Sequence, residues 1–311
     1  MLMPRTSQKH SCAHRVVKAR RASKGEVYAW LHNIADKGAP KLRAAVLRAF
    51  REGRAKVDSG AFIAAWRSGG ASGVTRVMDN AFDALTAAVK REAAPVWEDV
   101  FTRAARTAAG KATPLRGTVG FSFDMTNPQS IEYLRRYRMG LVREVTNETR
   151  LAIRDVVLRG FREGRTAEQM AAEIKNLVGL TRRQSTAAMN YRDALIEEGR
   201  ALPQITRMTE AYSNRLLNQR AETIARTETI RAAGAGREAL WRQAQEQGVL
   251  VAGARRYWIV TEDDRLCPIC EAIPDMNPDG VGLNESFRTS DGPLMQEPAH
   301  PNCRCAVELV A

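Results

Sequence analysis

Apolar positions along the chain recur mostly at the spacing of an α-helix. Leu42, Val46, Leu47 and Phe50 fall at i, i+4, i+5 and i+8, inside a helical pattern running from Glu26 to about Gly110. Gly69-Gly70 with Ser72-Gly73 predicts a break in it. Val74, Val77, Met78, Ala81, Leu85, Ala88, Val89, Val96, Val100 and Phe101 then form a core-facing stripe, which Pro95 should kink or split. Residues 110–128 collect Gly110, Pro114, Gly117, Gly120 and Pro128 and read as a linker.

After the linker, Ile131, Leu134, Leu141, Val145 and Ile153 predict one long amphipathic helix ending near Gly160 or Gly164. Thr166 to Gln169 and Thr181 to Gln184 each have the form of a capping box, so two short helices should start there. Gly179 and Gly199 are their stops. Thr206 to Gln247 is mostly helical, with Gly234 and Gly236 expected to weaken its middle. No internal repeat of fixed period is present.

The pattern changes after Gly253. Tyr257 to Thr261 is β-rich and Ala306 to Val310 alternates at period two. The stretch between them is rich in proline and glycine and carries too few apolar residues for a good core, so the module should need a staple. The expected fold is mainly α: long helices plus a small C-terminal α+β Cys-rich module. Its parts are a basic flexible tail (1–25), an N-terminal helical region (26–120), a second helical region (121–252) and a Cys/His-rich module (253–311).

The chain has 311 residues, 44% apolar and 27% charged, which excludes a disordered or fibrous protein. No segment approaches the roughly 18 uncharged apolar residues of a membrane span. Met1 to Lys24 lacks the apolar stretch of a secretory signal, so folding is expected in a reducing cytoplasm. Charge is distributed unevenly. The net value is +13, yet residues 1–25 hold seven basic groups and no acid, and residues 257–311 hold three basic and ten acidic groups. A basic arm condenses on a phosphate backbone by counterion release, without reading sequence. Arg15, Lys18, Arg20, Arg21 and Lys24 are therefore candidate contacts to double-stranded DNA.

Four of the five cysteines lie in the last 45 residues, as Cys267-x-x-Cys270 and then His300-x-x-Cys303-x-Cys305. The first pair places two thiolates on one turn, and the second group can complete a tetrahedral site. Cys303 and Cys305, if extended, point their sulfurs the same way. Four thiolates, or three with the His300 imidazole, are both reasonable ligand sets. Structural zinc leads, with disulfides and unligated thiols as the alternatives. Deaminase chemistry is disfavoured, because no H-x-E or C-x-E accompanies the cysteines. H-E-x-x-H, the P-loop and G-x-S-x-G are absent as well. Glu262, Asp263 and Asp264 read as a solvated turn.

The string Trp258, Asp263, Arg265, Cys267, Cys270, then His300-Pro301-Asn302-Cys303-Arg304-Cys305, resembles the Mu F-like head morphogenesis domain of tailed bacteriophages. Ala225-Arg226-Thr227-Glu228 is similar to that family's A-R-T-E helix, and the resemblance covers roughly 121–311. It implies a minor head, or minor capsid, protein and not an enzyme. Such a protein joins the head at or near the portal, with portal protein as partner and the major capsid protein as a further one, and contacts packaged DNA. It implies a virion location, in the capsid interior or at the portal vertex, after assembly in the host cytoplasm. Arg226 and Glu228, two apart on a helix, cannot pair with each other and are expected to anchor neighbouring elements. The competing reading is a metal-dependent, nuclease-like enzyme with the Cys/His cluster as its metal site. A zinc-bearing DNA-binding regulator is a third, weakened by the acidic charge of the Cys-rich end.

Overall fold

A computed structural model describes residues 24–111, 122–250, 252–261 and 264–310. Helices α1 (Lys24–Ala55), α2 (Ser59–Glu92) and α3 (Ala94–Lys111) precede the linker. Then come α4 (Pro128–Arg162), α5 (Ala167–Leu177), α6 (Arg182–Glu197) and α7 (Leu202–Glu246). Strand β1 (Arg255–Ile259), helix α8 (Pro268–Met276) and strand β2 (Ala306–Val310) complete the chain. The fold is thus mainly helical, with long helices and a small α+β lobe at the C-terminus. Among the described residues no helix is long and apolar enough to cross a membrane.

Local sequence signals position most helix ends. Asp58 caps α2 by accepting the Ala61 amide. Thr166 and Thr181 both close full capping boxes, with Gln169 and Gln184 returning the bond to the cap backbone. Pro95 does split the apolar stripe: α2 stops at Glu92, and Pro95 falls in the first turn of α3, where its missing N–H costs nothing. At Gly70 (φ 61°, ψ −165°) the helical dihedrals fail, so the expected break is a kink between two helical segments. The stripe predicted on α4 is buried only in part. Val145 and Ile153 are in the core, whereas Ile131 is 51% exposed.

The centre of the molecule is α7, 45 residues long. It packs against α1, α3 and α6, while α2 packs on α1, α4 and α5. One apolar core results, containing Phe50, Trp97 and Phe101 from before the linker and Ala225, Ala232 and Leu240 from after it. Residues 112–121 of the linker lie outside the described residues. Arg220 of α7 is buried in this core over the Phe50 ring. It donates to Thr149 Oγ1 (3.1 Å), to the Gly179 carbonyl (2.6 Å) and to the Val145 carbonyl (3.2 Å). Burial brings its pKa down to about 10, still well above neutrality.

Gly234 and Gly236 do not interrupt α7, which runs through them. A Cβ at Gly236 would lie 2.1 Å from the Phe101 carbonyl oxygen, and one at Gly234 would lie 2.6 Å from Glu297 Oε1. Their absent side chains let the α3 backbone and the C-terminal lobe approach the helix more closely than any other residue permits. Helix propensity is sacrificed for contact.

Gly236→Ala should therefore destabilise the protein by about 2–3 kcal/mol through overpacking against immovable backbone. Gly140→Ala, in α4 with open space around it, should stabilise by roughly 0.5–1 kcal/mol. Denaturant unfolding of the two variants should show these opposite signs.

Candidate metal centre

The C-terminal lobe is built on the antiparallel pair β1 and β2, in which Trp258 faces Val307 and Ile259 faces Ala306. It has a small apolar core after all: Trp258, Ile273, Val281, Leu283, Phe287, Val307 and Leu309, with Cys270, Cys303 and Cys305 among them. Trp258 and Phe287 meet edge to face at 5.4 Å. The core is completed from outside by Trp241 of α7. The lobe therefore cannot bury its apolar surface without the long helix.

Two local structures bring the cysteines together. Cys267 is the N-cap of α8, in extended conformation, and its Sγ accepts the Cys270 amide at 3.4 Å. Pro268 follows at the first helical position. Both sulfurs of the C-x-x-C pair thus sit at one helix N-terminus, which favours negative charge. The second structure is the turn from His300 to Cys305, in which Asn302 adopts φ 59° and the Cys303 amide bonds back to the His300 carbonyl at 3.1 Å.

His300 Nε2 lies 3.0 Å from Cys267 Sγ and 3.1 Å from Cys270 Sγ. Its Nδ1 is 2.9 Å from the Pro301 carbonyl oxygen, which can only accept. The hydrogen of the neutral ring is therefore on Nδ1, and Nε2 turns a lone pair to the sulfurs. Cys270 Sγ is 3.7 Å from Cys303 Sγ. That is far beyond the roughly 2.05 Å of a disulfide. It matches the roughly 3.8 Å expected between two thiolates bound at about 2.3 Å to one tetrahedral zinc. Cys267, Cys270, Cys303 and Cys305 are all unbridged.

Two groups of donor atoms converge, each within 4.8 Å: Cys267, Cys270 and His300, and Cys270, Cys303 and Cys305. Cys270 belongs to both and is the hub. Hydrogen bonds from Cys270 and then Cys305 hold the Cys303 thiol pKa down to about 2. The same bond to Cys303 pushes the Cys270 thiol up. Sulfurs this close share protons when no cation is present. A divalent ion replaces those protons and relieves the repulsion between thiolates. Soft sulfur donors with one imidazole are the donor set of structural zinc, and five donors for four places leave no open position for a reacting water.

The lobe is seated on α7 by polar contacts spread over about three turns. Thr227 Oγ1 accepts the Asn302 amide at 3.0 Å. Arg237 Nη2 and Glu297 Oε1 form an ion pair of 2.7 Å, with side chains 2% and 0% exposed. Burial raises the Glu297 pKa, against the opposing pull of Arg237. Arg256 of β1, also fully buried, donates to the carbonyls of Met295 (2.7 Å), Gly282 (3.2 Å) and Glu285, and stands 3.8 Å from Glu238 of α7.

The remaining predicted residues divide sharply. Trp258 is in the small core beside the sulfur cluster. Glu228 is buried and accepts from Arg231, and burial raises its pKa. Arg226 is exposed, and its backbone carbonyl accepts from Thr229 Oγ1 at 3.3 Å. Arg265 is exposed near the first cysteine, and Asp263 lies outside the described residues. Arg15, Lys18, Arg20 and Arg21 also lie outside them, as does the side chain of Lys24, the first residue of α1. Sequence reasoning missed Thr227, Arg237, Glu238, Arg256 and Glu297. The run of small residues from Ala232 to Gly236 was the one available sign that something packs closely there.

The family model described as phage Mu protein F like protein matches residues 151–308, from the middle of α4 into β2. No curated protein and no solved structure matches the chain.

If the cluster holds zinc, metal analysis of chain purified under reducing conditions should find one ion per chain. A chelator should lower the melting temperature and a reductant alone should leave it unchanged. Cys270→Ser, which removes the shared sulfur, should abolish metal retention.

Proposed function

The chain belongs to the phage Mu protein F like family, and on that premise we propose that it is a minor head protein of a tailed phage, stationed at or near the portal. A role in phage head morphogenesis follows from the family. The portal position, the contact with packaged DNA and the structural zinc are our reading. The observation that carries it is the reach of the family match, which spans the end of α4, helices α5–α7 and the cysteine lobe together. The matched unit is the lobe seated on its helical trunk.

The chemistry supports a structural part. Cys267, Cys270 and His300, with Cys303 or Cys305, would hold a zinc ion whose contribution is cohesion of the lobe. The arm, with Arg15, Lys18, Arg20, Arg21 and Lys24, supplies positive charge suited to a phosphate backbone, while the acidic C-terminal end suits a protein neighbour. Portal protein is the proposed partner, and the major capsid protein a second one.

The chain should be found in purified virions in fewer copies than the major capsid protein and in fixed ratio to portal subunits. Its absence from virions would overturn the assignment. For DNA, binding to duplex should weaken as salt rises, and deleting residues 1–25, with their seven basic groups, should flatten the plot of log affinity against log salt. An unchanged slope would remove the arm from the interface.

A further inference from the structure

The outward face of α4 carries a regular stripe. Gly140, Glu144, Asn147, Leu151, Arg154 and Leu158 recur at alternating steps of four and three, and all six are exposed. That is the spacing of a coiled-coil seam. The stripe lies opposite the buried line of Val145, Thr149, Ala152 and Val156. Leu151 is 43% exposed and Leu158 38%, two turns apart on a helix whose core contacts are on its far side. A Cβ at Gly140 would meet nothing within 4 Å. Arg154 has no ion pair among the described residues. The Glu144 side chain is 66% exposed and reaches Arg231 at 3.8 Å.

We propose that α4 docks along this stripe against α4 of a second copy of the chain, antiparallel, about a two-fold axis at the level of Thr149. The order of the residues selects this partner. Turned end for end about position 149, the stripe sets Glu144 against the second copy's Arg154, and Arg154 against the second copy's Glu144. Leu158 then lies over the open space at Gly140, and Leu151 lies beside Asn147. Every contact is made twice, as a two-fold interface requires. A parallel pairing fails on charge, because it sets Glu144 against Glu144 and Arg154 against Arg154. Asn147 near the centre fixes the register at some cost in stability. On the flanks, Arg150 is balanced within its own copy by Asp79 and Asp83, each at 3.5 Å, and Glu148 by the buried Arg220. The two-fold therefore brings no uncompensated like charges together there. From Gly140 to Leu158 the seam is about 27 Å long. That is short for a specific interface, so the pair should be weak and concentration-dependent. The docking uses neither the cysteine donors nor the portal assignment, and it stands if either of those fails.

Sedimentation equilibrium of the full, metal-loaded chain over roughly a thousandfold range of concentration tests it. A reversible monomer–dimer equilibrium is expected. Glu144→Arg and Arg154→Glu should each weaken the dimer by about tenfold or more, since each sets two like-charge pairs across the seam. Combining the two substitutions in one chain should restore the dimer. Mixing the two single variants should also restore it, as a heterodimer, because every facing pair is then of opposite charge. Both positions are exposed, so metal content should be the same in all variants. A chain that stays monomeric over the whole range overturns the proposal. So does a dimer that the single variants leave intact, or one that the combined variant fails to rescue.

Discussion

The buried ion pair between Arg237 and Glu297 is the constraint on which the relation of lobe to trunk depends. Two charges removed from water cost several kcal/mol each unless their geometry is good. Here the geometry is supplied by neighbours. Gly234 leaves room for the Glu297 carboxylate, and the Trp241 ring lies 4.8 Å from the Arg237 guanidinium. Such a pair adds little net stability compared with apolar residues, but it is severe on alternatives. Any docking that separates Arg237 from Glu297 strands both in a dry interior. The pair therefore selects one position of the lobe along α7, and the Thr227–Asn302 bond and the Arg256–Glu238 contact fall into register with it.

The cysteines act at a second level. Cys270, Cys303 and Cys305 are at once ligand candidates and members of the lobe's apolar cluster. The sulfur cluster joins α8 to the turn before β2, while the strand pair joins β2 to β1. Convergence of the sulfurs thus closes a circuit through every regular element of the lobe. The residues expected to staple this region do converge. The expectation that it lacked a core overlooked Trp241, 26 residues before Cys267, which the trunk lends to it.

What was legible in the sequence was what local chemistry decides. Both capping boxes formed, because a Thr hydroxyl and a Gln amide three residues on satisfy each other wherever the chain goes. Both strands formed where β-branched and aromatic residues cluster. The cysteine spacing announced convergence, and the geometry brings His300 in along with all four sulfurs. The illegible part is long-range. Arg237 and Glu297 are 60 residues apart and neither differs, as a letter, from a surface charge. Gly234 and Gly236 look like helix flaws until the elements that press on them are known. Ile131 fits an amphipathic stripe, but its side chain is half exposed while its neighbour Ser130 is buried. Arg226 lines a cavity between α1, α7 and the C-terminal turn, a placement visible only once those elements are set beside one another.

An uninterrupted helix of 45 residues is about 68 Å long at 1.5 Å per residue. Its first half holds the turn before α6 through Leu217, packed at Gly179, and Arg220, which donates to the Gly179 carbonyl, and its second half holds the lobe through Thr227, Arg237 and Trp241. From Leu217 to Trp241 is roughly 36 Å along the axis. The helix is thus a spacer of set length and orientation. Two neighbours gripping its opposite ends would be gauged against each other by a single rod, and a tug on one would reach the other with almost no slack.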